Sequence, residues 1–276
     1  MKEEYLITVN VATLWTTKES AREMDKDATG RPTCLTRWLK HLDYERRVAL
    51  SHDNLVQSQA LFGQSVYVIE QSGDWAYVLL KDQPTSKNTE GYPGWLPKSQ
   101  LMEKQMRDYD EEPLVVIDSP FALLYGNEKT PELLLSFQTR LPLLKIMGDW
   151  LQVMTPIGEK FVRARDVKVY DSVHTIPKGK GTDIVAYAEM FLGLPYLWGG
   201  TSAFGYDCSG LSYTVCQAAG YSIARDAHDQ AAGGTEVKID ELEPGDLLFF
   251  AHDEGKGHIH HVGIYYGQGK MIHAPN

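Results

Sequence analysis

The chain has 276 residues, of which 43% are hydrophobic and 23% charged, enough for two or three domains of ordinary globular composition. A formal net charge of −10, from 37 acidic against 27 basic side chains, argues against non-specific binding to nucleic acid or to an anionic membrane surface. Cys34, Cys208 and Cys216 form no CxxC pair and no even-numbered framework, which excludes a disulfide scaffold as the organising principle. The opening Met1-Lys2-Glu3-Glu4 has acids where a secretory leader is basic, and no apolar run of membrane-spanning length follows. A cytoplasmic protein is expected, or a secreted one if a leader has been removed.

Taken in order, Tyr5 to Ala12 alternates as a first strand. From Ser20 to about Leu50 the chain is polar and helix-favouring, with Leu35, Trp38, Leu39 and Leu42 at helical spacing. This predicts a helical insertion packed on the first domain, with Trp38 in its core. An internal repeat follows. Ser65 to Val78 parallels Leu141 to Val153, and in each a strand turns through Gly-Asp before a second strand begins on Trp75 or Trp150. The repeated unit is similar to the bacterial SH3 (SH3b) domain, so two such β-barrels are expected. The first closes with Gly91-Tyr92-Pro93-Gly94-Trp95, the second with Lys160 to Val167, and the acidic stretch Asp108 to Pro113 links them. A second linker, Ile176 to Gly181, precedes a helix capped by Thr182 or Asp183, with Ile184, Val185, Ala188, Phe191 and Leu192 on one face and Gly193 at its end.

The Gly-rich, aromatic stretch Leu194 to Ser209 runs into Asp207-Cys208-Ser209-Gly210 and a short helix stopped by Gly220. Cys208 therefore sits at a helix N-terminus. There, unpaired N–H groups and the helix dipole can draw a thiol pKa from about 8.5 down to roughly 3.5–7.5, whereas a cysteine buried in apolar surroundings is inert. Cys216, eight residues on, lies about 12 Å further along the axis, beyond bridging distance, and reads as packing. After Pro244-Gly245-Asp246 and the apolar Leu247 to Phe250 comes His261 to Tyr266, a turn through Gly267-Gln268-Gly269, and Lys270 to His273. Such a hairpin sets His261 and His273 side by side, so one can take the thiol proton while the other fixes its tautomer. The run Gly257-His258-Ile259-His260-His261 invites a zinc reading. Alternating strand residues point to opposite faces, however, and no Cys or Glu stands at ligand spacing, so neither a metal nor another cofactor is expected.

Asp207-Cys208-Ser209-Gly210, Pro244-Gly245-Asp246-Leu247-Leu248-Phe249-Phe250, His261-Val262-Gly263-Ile264-Tyr265 and Ile272-His273-Ala274-Pro275 together resemble the NlpC/p60 family of cell-wall cysteine peptidases. The resemblance implies an α+β protein: a papain-like catalytic domain at 180–276, preceded by an SH3b barrel at 1–107 with a helical insertion near 20–50 and a second at 113–172. It implies Cys208 as nucleophile, His261 as general base and then acid, and His273 as orienting residue. The Cys208 N–H is the natural oxyanion donor, and the family makes the Tyr196 hydroxyl a second, where a packed loop aromatic is the alternative.

This domain order is similar to that of the γ-D-glutamyl-L-diamino-acid endopeptidases of murein recycling. That subfamily implies a murein tri- or tetrapeptide substrate, L-Ala-γ-D-Glu-diamino acid, with a free N-terminal L-Ala and no nucleic-acid or membrane partner. Asp207, Ser209 and Asp226 are then expected to contact the amine and D-Glu portions by charge-assisted hydrogen bonds, though each could instead cap a helix or form a turn. Tyr92 is expected to narrow the cleft, or simply to close the barrel. The sequence departs from the subfamily in two places. Gln64 stands where an acid suited to the substrate ammonium is usual, leaving Asp207 as the main counter-ion, and the chain stops at Asn276, where the family continues with a further strand. A broader peptidoglycan hydrolase and a wall-peptide-binding protein with weakened catalysis are the competing readings.

Overall fold

The two Gly-Asp turns anticipated from the repeat are hairpin turns, with Gly73 and Gly148 at φ of +57° and +64°, a region that favours a residue without Cβ. In the computed structural model, which describes residues 3–104, 112–127 and 130–275, they occupy equivalent places in two seven-stranded sheets. The first runs in the order Val56–Leu61, Val11–Trp15, Tyr92–Pro97, Trp75–Leu80, Ser65–Ser72, Glu3–Ile7, Leu101–Glu103. The second runs Thr130–Ser136, Phe121–Asn127, Gly158–Arg163, Trp150–Thr155, Arg140–Met147, Leu114–Ile117, Val167–Tyr170. Strand for strand the two orders are the same, so the repeat is one of topology as well as of sequence. Residues 108–111 of the predicted linker lie outside the described residues.

The single strand expected from Tyr5 to Ala12 is two. Glu3–Ile7 ends and Val11–Trp15 begins afresh, because the Asn10 side chain accepts from the Val11 N–H at 2.9 Å and interrupts the ladder. Between Val11–Trp15 and Val56–Leu61 stands the helical insertion, with Lys26–Thr29, Leu35–His41 and Tyr44–His52, the last capped by Asp43 accepting from the Arg46 N–H at 2.9 Å. Trp38 is buried as expected, edge-on to Trp15, and its indole donates to Asp25 at 2.8 Å.

The C-terminal unit packs the helices Gly181–Glu189 and Cys208–Ala218 against the antiparallel sheet Leu247–Ala251, Ile259–Gly267, Lys270–Ile272. Ile184, Val185, Ala188, Leu211, Val215, Ile264 and Ile272 form its core, which Phe137 of the second barrel completes. The first of these helices is capped differently from the expectation. Lys180 is the cap, and Asp183, one turn in, accepts from its N–H at 2.7 Å. Because the helix ends at Glu189, Leu192 falls beyond it and is 68% exposed, not on the buried face. Among the described residues no helix is long and apolar enough to cross a membrane.

The Gly-rich loop is where the three units meet. Leu197 and Phe204 join Trp15, Trp38 and Leu35 in one cluster, the Trp198 indole donates to the Val56 carbonyl at 2.9 Å, and Phe204 packs edge-on to Phe121 of the second barrel at 4.9 Å. The insertion also reaches the loop, through Arg47 donating to the Tyr196 carbonyl at 3.1 Å.

Candidate active site

Cys208 is the first residue of the helix Cys208–Ala218, and Asp207 is its N-cap. Gly210, in the first turn, lies so close to the Gly200 carbonyl that a Cβ would collide with it, so the helix start and the glycine loop require each other. The thiol is 9% exposed. Burial, then the neighbouring Asp207 charge, push its pKa up to about 11, although the Val262 and Ser209 backbone donors and Arg225 pull the other way. The lowering expected from the helix N-terminus is thus overridden, and the resting group is a thiol.

The hairpin brings the two histidines together as anticipated, His261 Nε2 lying 2.8 Å from His273 Nδ1. Ile264 pairs with Ile272, so the register continued outward sets His273 opposite Gly263 and diagonal to His261 on the same face. A Cβ on Gly263 would sit 2.9 Å from the Met271 sulfur and 3.5 Å from the His273 Cβ, which explains glycine there. Burial, then His273 and His260, hold the His261 pKa below 6.5, so its resting ring is neutral. Among the described residues Nδ1 of His261 carries no hydrogen bond, and the adjacent Val262 backbone reaches Cys208. Tyr196 stands beside this pair: burial, then the Asp207 and Cys208 charges, raise its hydroxyl pKa well above the usual 10.

The residues expected to meet the substrate divide. Asp207 and Ser209 are 5% and 6% exposed, and the Asp207 carboxylate is filled from within. It accepts from the Gly210 N–H at 2.6 Å, the Gly199 N–H at 2.8 Å, Arg225 Nη2 at 2.7 Å and Ser209 Oγ at 3.3 Å. Its charge is committed to helix cap and ion pair, where a free counter-ion was expected. Asp226 faces the first barrel, its two oxygens 3.0 and 2.9 Å from the Tyr92 hydroxyl. The Tyr92 ring is buried in the barrel core, and its hydroxyl leaves the barrel for the catalytic unit.

Residues 193–276 match the NlpC/P60 family, 117–170 the YKFC SH3b2 domain, and 47–101 the bacterial dipeptidyl-peptidase Sh3 domain. The chain is 44% identical over 273 residues to the gamma-D-glutamyl-L-lysine dipeptidyl-peptidase of Bacillus cereus, covering 98% of this chain and 82% of that one. It is 45% identical over 266 residues to the protein of the same name from Bacillus subtilis, covering 96% and 88%. The crystal structure of an NlpC/P60 family protein from Bacillus cereus superposes with a TM-score of 0.95 at 42% identity, covering 99% and 91%. The chain belongs to the NlpC/P60 family. It is a peptidase with two SH3b domains ahead of its catalytic domain.

Within this NlpC/P60 peptidase three residues with no role expected from sequence connect the site. Arg225, 1% exposed, donates to Asp207, to Ser209 Oγ at 2.9 Å and to Ser58 Oγ of the first barrel at 3.1 Å, and lies 3.9 Å from Asp226. Lys87 and Gln57, also from the first barrel, cluster with Asp226 and Tyr92. Gln64, expected near the substrate amine, lies elsewhere. Its carbonyl accepts from the Leu61 N–H at 2.7 Å and its amide is 3.4 Å from Asp82, in a cleft between the three domains. His258, His260 and His261 do not converge, for their rings face His228, His252 and His273 respectively.

Proposed function

We propose that this peptidase hydrolyses the bond between γ-D-Glu and the L-diamino acid, lysine or diaminopimelate, in murein peptides that carry a free N-terminal L-Ala, and that it serves the recycling of those peptides. The observation that carries the reading is the His261–His273 hydrogen bond beside the Val262 contact to Cys208, within a chain about 45% identical to proteins named for γ-D-glutamyl-L-lysine cleavage.

His261 Nδ1 takes the Cys208 proton as sulfur attacks the γ-carbonyl carbon. The oxygen that gains charge is met by the Cys208 N–H and the Tyr196 hydroxyl, which burial keeps protonated. His261 then returns the proton to the departing amine of the diamino acid, leaving a thioester that water, deprotonated by the same ring, hydrolyses. Asp226 and Tyr92 meet the L-Ala ammonium, a cation suited to a carboxylate at the domain boundary.

Mass spectrometry of L-Ala-γ-D-Glu-L-Lys and its N-acetyl analogue, each incubated with the protein and with Cys208→Ala, tests this. Release of L-Ala-γ-D-Glu from the free-amine peptide alone, abolished in the variant, is expected. Equal cleavage of both peptides would point to a broader wall hydrolase, and cleavage of neither to a binding role.

A further inference from the structure

Lys87 stands on the first-barrel loop that joins the strands Trp75–Leu80 and Tyr92–Pro97. Its ammonium lies 3.1 Å from Asp226 Oδ2, donates to Gln57 Oε1 at 3.0 Å and to the Tyr92 hydroxyl oxygen, and sits over the Tyr92 ring, 4.3 Å from the centroid. A carboxylate, an amide oxygen, a phenol oxygen and an aromatic face converge here. All four attract a primary ammonium.

The loop backbone is fastened to the catalytic domain independently of that side chain. The Ser86 N–H donates to Asp229 at 2.8 Å, and the Arg225 N–H donates to the Pro84 carbonyl at 2.9 Å. The Lys87 side chain is 37% exposed, so it can leave by rotation about its own stem while the loop stays in place.

We infer that Lys87 is a specificity-determining residue, an intramolecular occupant of the ammonium subsite formed by Asp226, Tyr92 and Gln57 that the substrate's own terminal ammonium must displace. The inference rests on the amine-recognition reading proposed above. Lys87 fills the place against Asp226, Gln57 and the Tyr92 hydroxyl and ring that a substrate ammonium would take, so the two cations cannot make these contacts at once. Exchange of one ammonium for the other preserves the charge balance. An N-acylated peptide brings no cation and leaves Lys87 where it is. The free-amine peptide therefore binds with its intrinsic affinity reduced by the fraction of time that Lys87 is out of the subsite.

The test measures binding of L-Ala-γ-D-Glu and N-acetyl-L-Ala-γ-D-Glu by calorimetry to Cys208→Ala and to Cys208→Ala/Lys87→Met. The methionine retains the stem packed on Tyr92 and removes the charge. The free-amine dipeptide is expected to bind the double variant about tenfold more tightly, as for a subsite open roughly a tenth of the time, with the N-acetyl dipeptide unchanged. A free-amine preference in Cys208→Ala that Lys87→Met leaves unchanged or weakens would overturn the Lys87 inference alone. Equal binding of the two dipeptides, or binding of neither, would overturn the amine-recognition reading and this inference with it. A crystal structure of Cys208→Ala with the free-amine dipeptide needs no substitution at Lys87. The dipeptide ammonium is expected against Asp226 with the Lys87 ammonium rotated out to solvent, and a bound dipeptide with Lys87 still seated on Asp226 overturns displacement.

Discussion

His261 Nε2 meets His273 Nδ1 at 2.8 Å across a diagonal of the C-terminal hairpin. For His261 Nδ1 to accept the Cys208 proton its Nε2 must carry the hydrogen, and His273 Nδ1 is the acceptor that fixes this tautomer. His273→Ala should therefore lower kcat by about a hundredfold, within the range of misoriented acid–base groups, while KM changes far less. His273→Asn, which retains an acceptor, should recover part of the loss. Equal activity of wild type and alanine variant in steady-state assays would remove His273 from the mechanism.

The pH profile follows from the same ring. Burial, then His273 and His260, depress its pKa, so the neutral base persists below pH 6.5, and the acid limb of kcat/KM should fall beneath that value. An acid limb lying above pH 6.5 would show that burial of His261 does not set the titration of the base.

Cys208 gives the complementary measurement. Because burial and the Asp207 charge raise its pKa to about 11, iodoacetamide alkylation of the free protein should be slow at neutral pH and still rising above pH 9. A rate already on its plateau near pH 7 would instead reveal a resting thiolate–imidazolium pair. The sign for stability is the same as for any acid whose folded pKa is raised. The contribution of the thiol is complete below the unfolded value near 9 and is lost as pH rises through about 11.

Tyr92→Phe removes one hydroxyl and leaves the aromatic in the barrel core. The barrel should lose only about 1 kcal/mol, the usual worth of a hydrogen bond. Asp226 loses the donor that holds it at the domain boundary, so KM for the free-amine peptide should rise several-fold with kcat nearly unchanged, as steady-state kinetics would report. An unchanged KM would confine Tyr92 to the barrel.

The chemistry and the hairpin were legible because both are local in sequence. Cys208 follows a glycine-rich loop and starts a helix, and the alternation from His261 to His273 carries the hairpin register. The duplication was legible through Gly73-Asp74-Trp75 and Gly148-Asp149-Trp150, since one turn chemistry serves both barrels. What escaped depends on contacts between domains. Arg225 finds Ser58 across 167 residues, and Asp226 finds Tyr92 across 134, pairings that no local pattern encodes. Asp207 shows the same limit: a cap, a counter-ion and a substrate contact look alike in sequence, and only the position of Arg225 selects between them. At Cys208 the helix N-terminus is a local effect and burial a tertiary one, and only the fold brings the second to bear.

Arg225 is the joint on which both site and domain arrangement depend. Its guanidinium and the Asp207 carboxylate are 1% and 7% exposed at 2.7 Å, so the pair has left water and each charge relies on the other. Arg225→Met keeps the apolar stem but leaves Asp207 buried against two backbone N–H groups and Ser209 alone. Removing one partner of such a pair costs about 3–5 kcal/mol, which thermal or urea denaturation should detect. The double variant Arg225→Met/Asp207→Asn removes both charges and should recover part of that loss, giving a coupling energy from the cycle of four proteins. Activity should not recover with it. The link from Ser209 to Ser58 passes through the Arg225 guanidinium, which the double variant still lacks, so the start of the Cys208 helix stays unfastened from the first barrel in a protein that folds. A double variant as active as wild type would show that the joint serves stability alone.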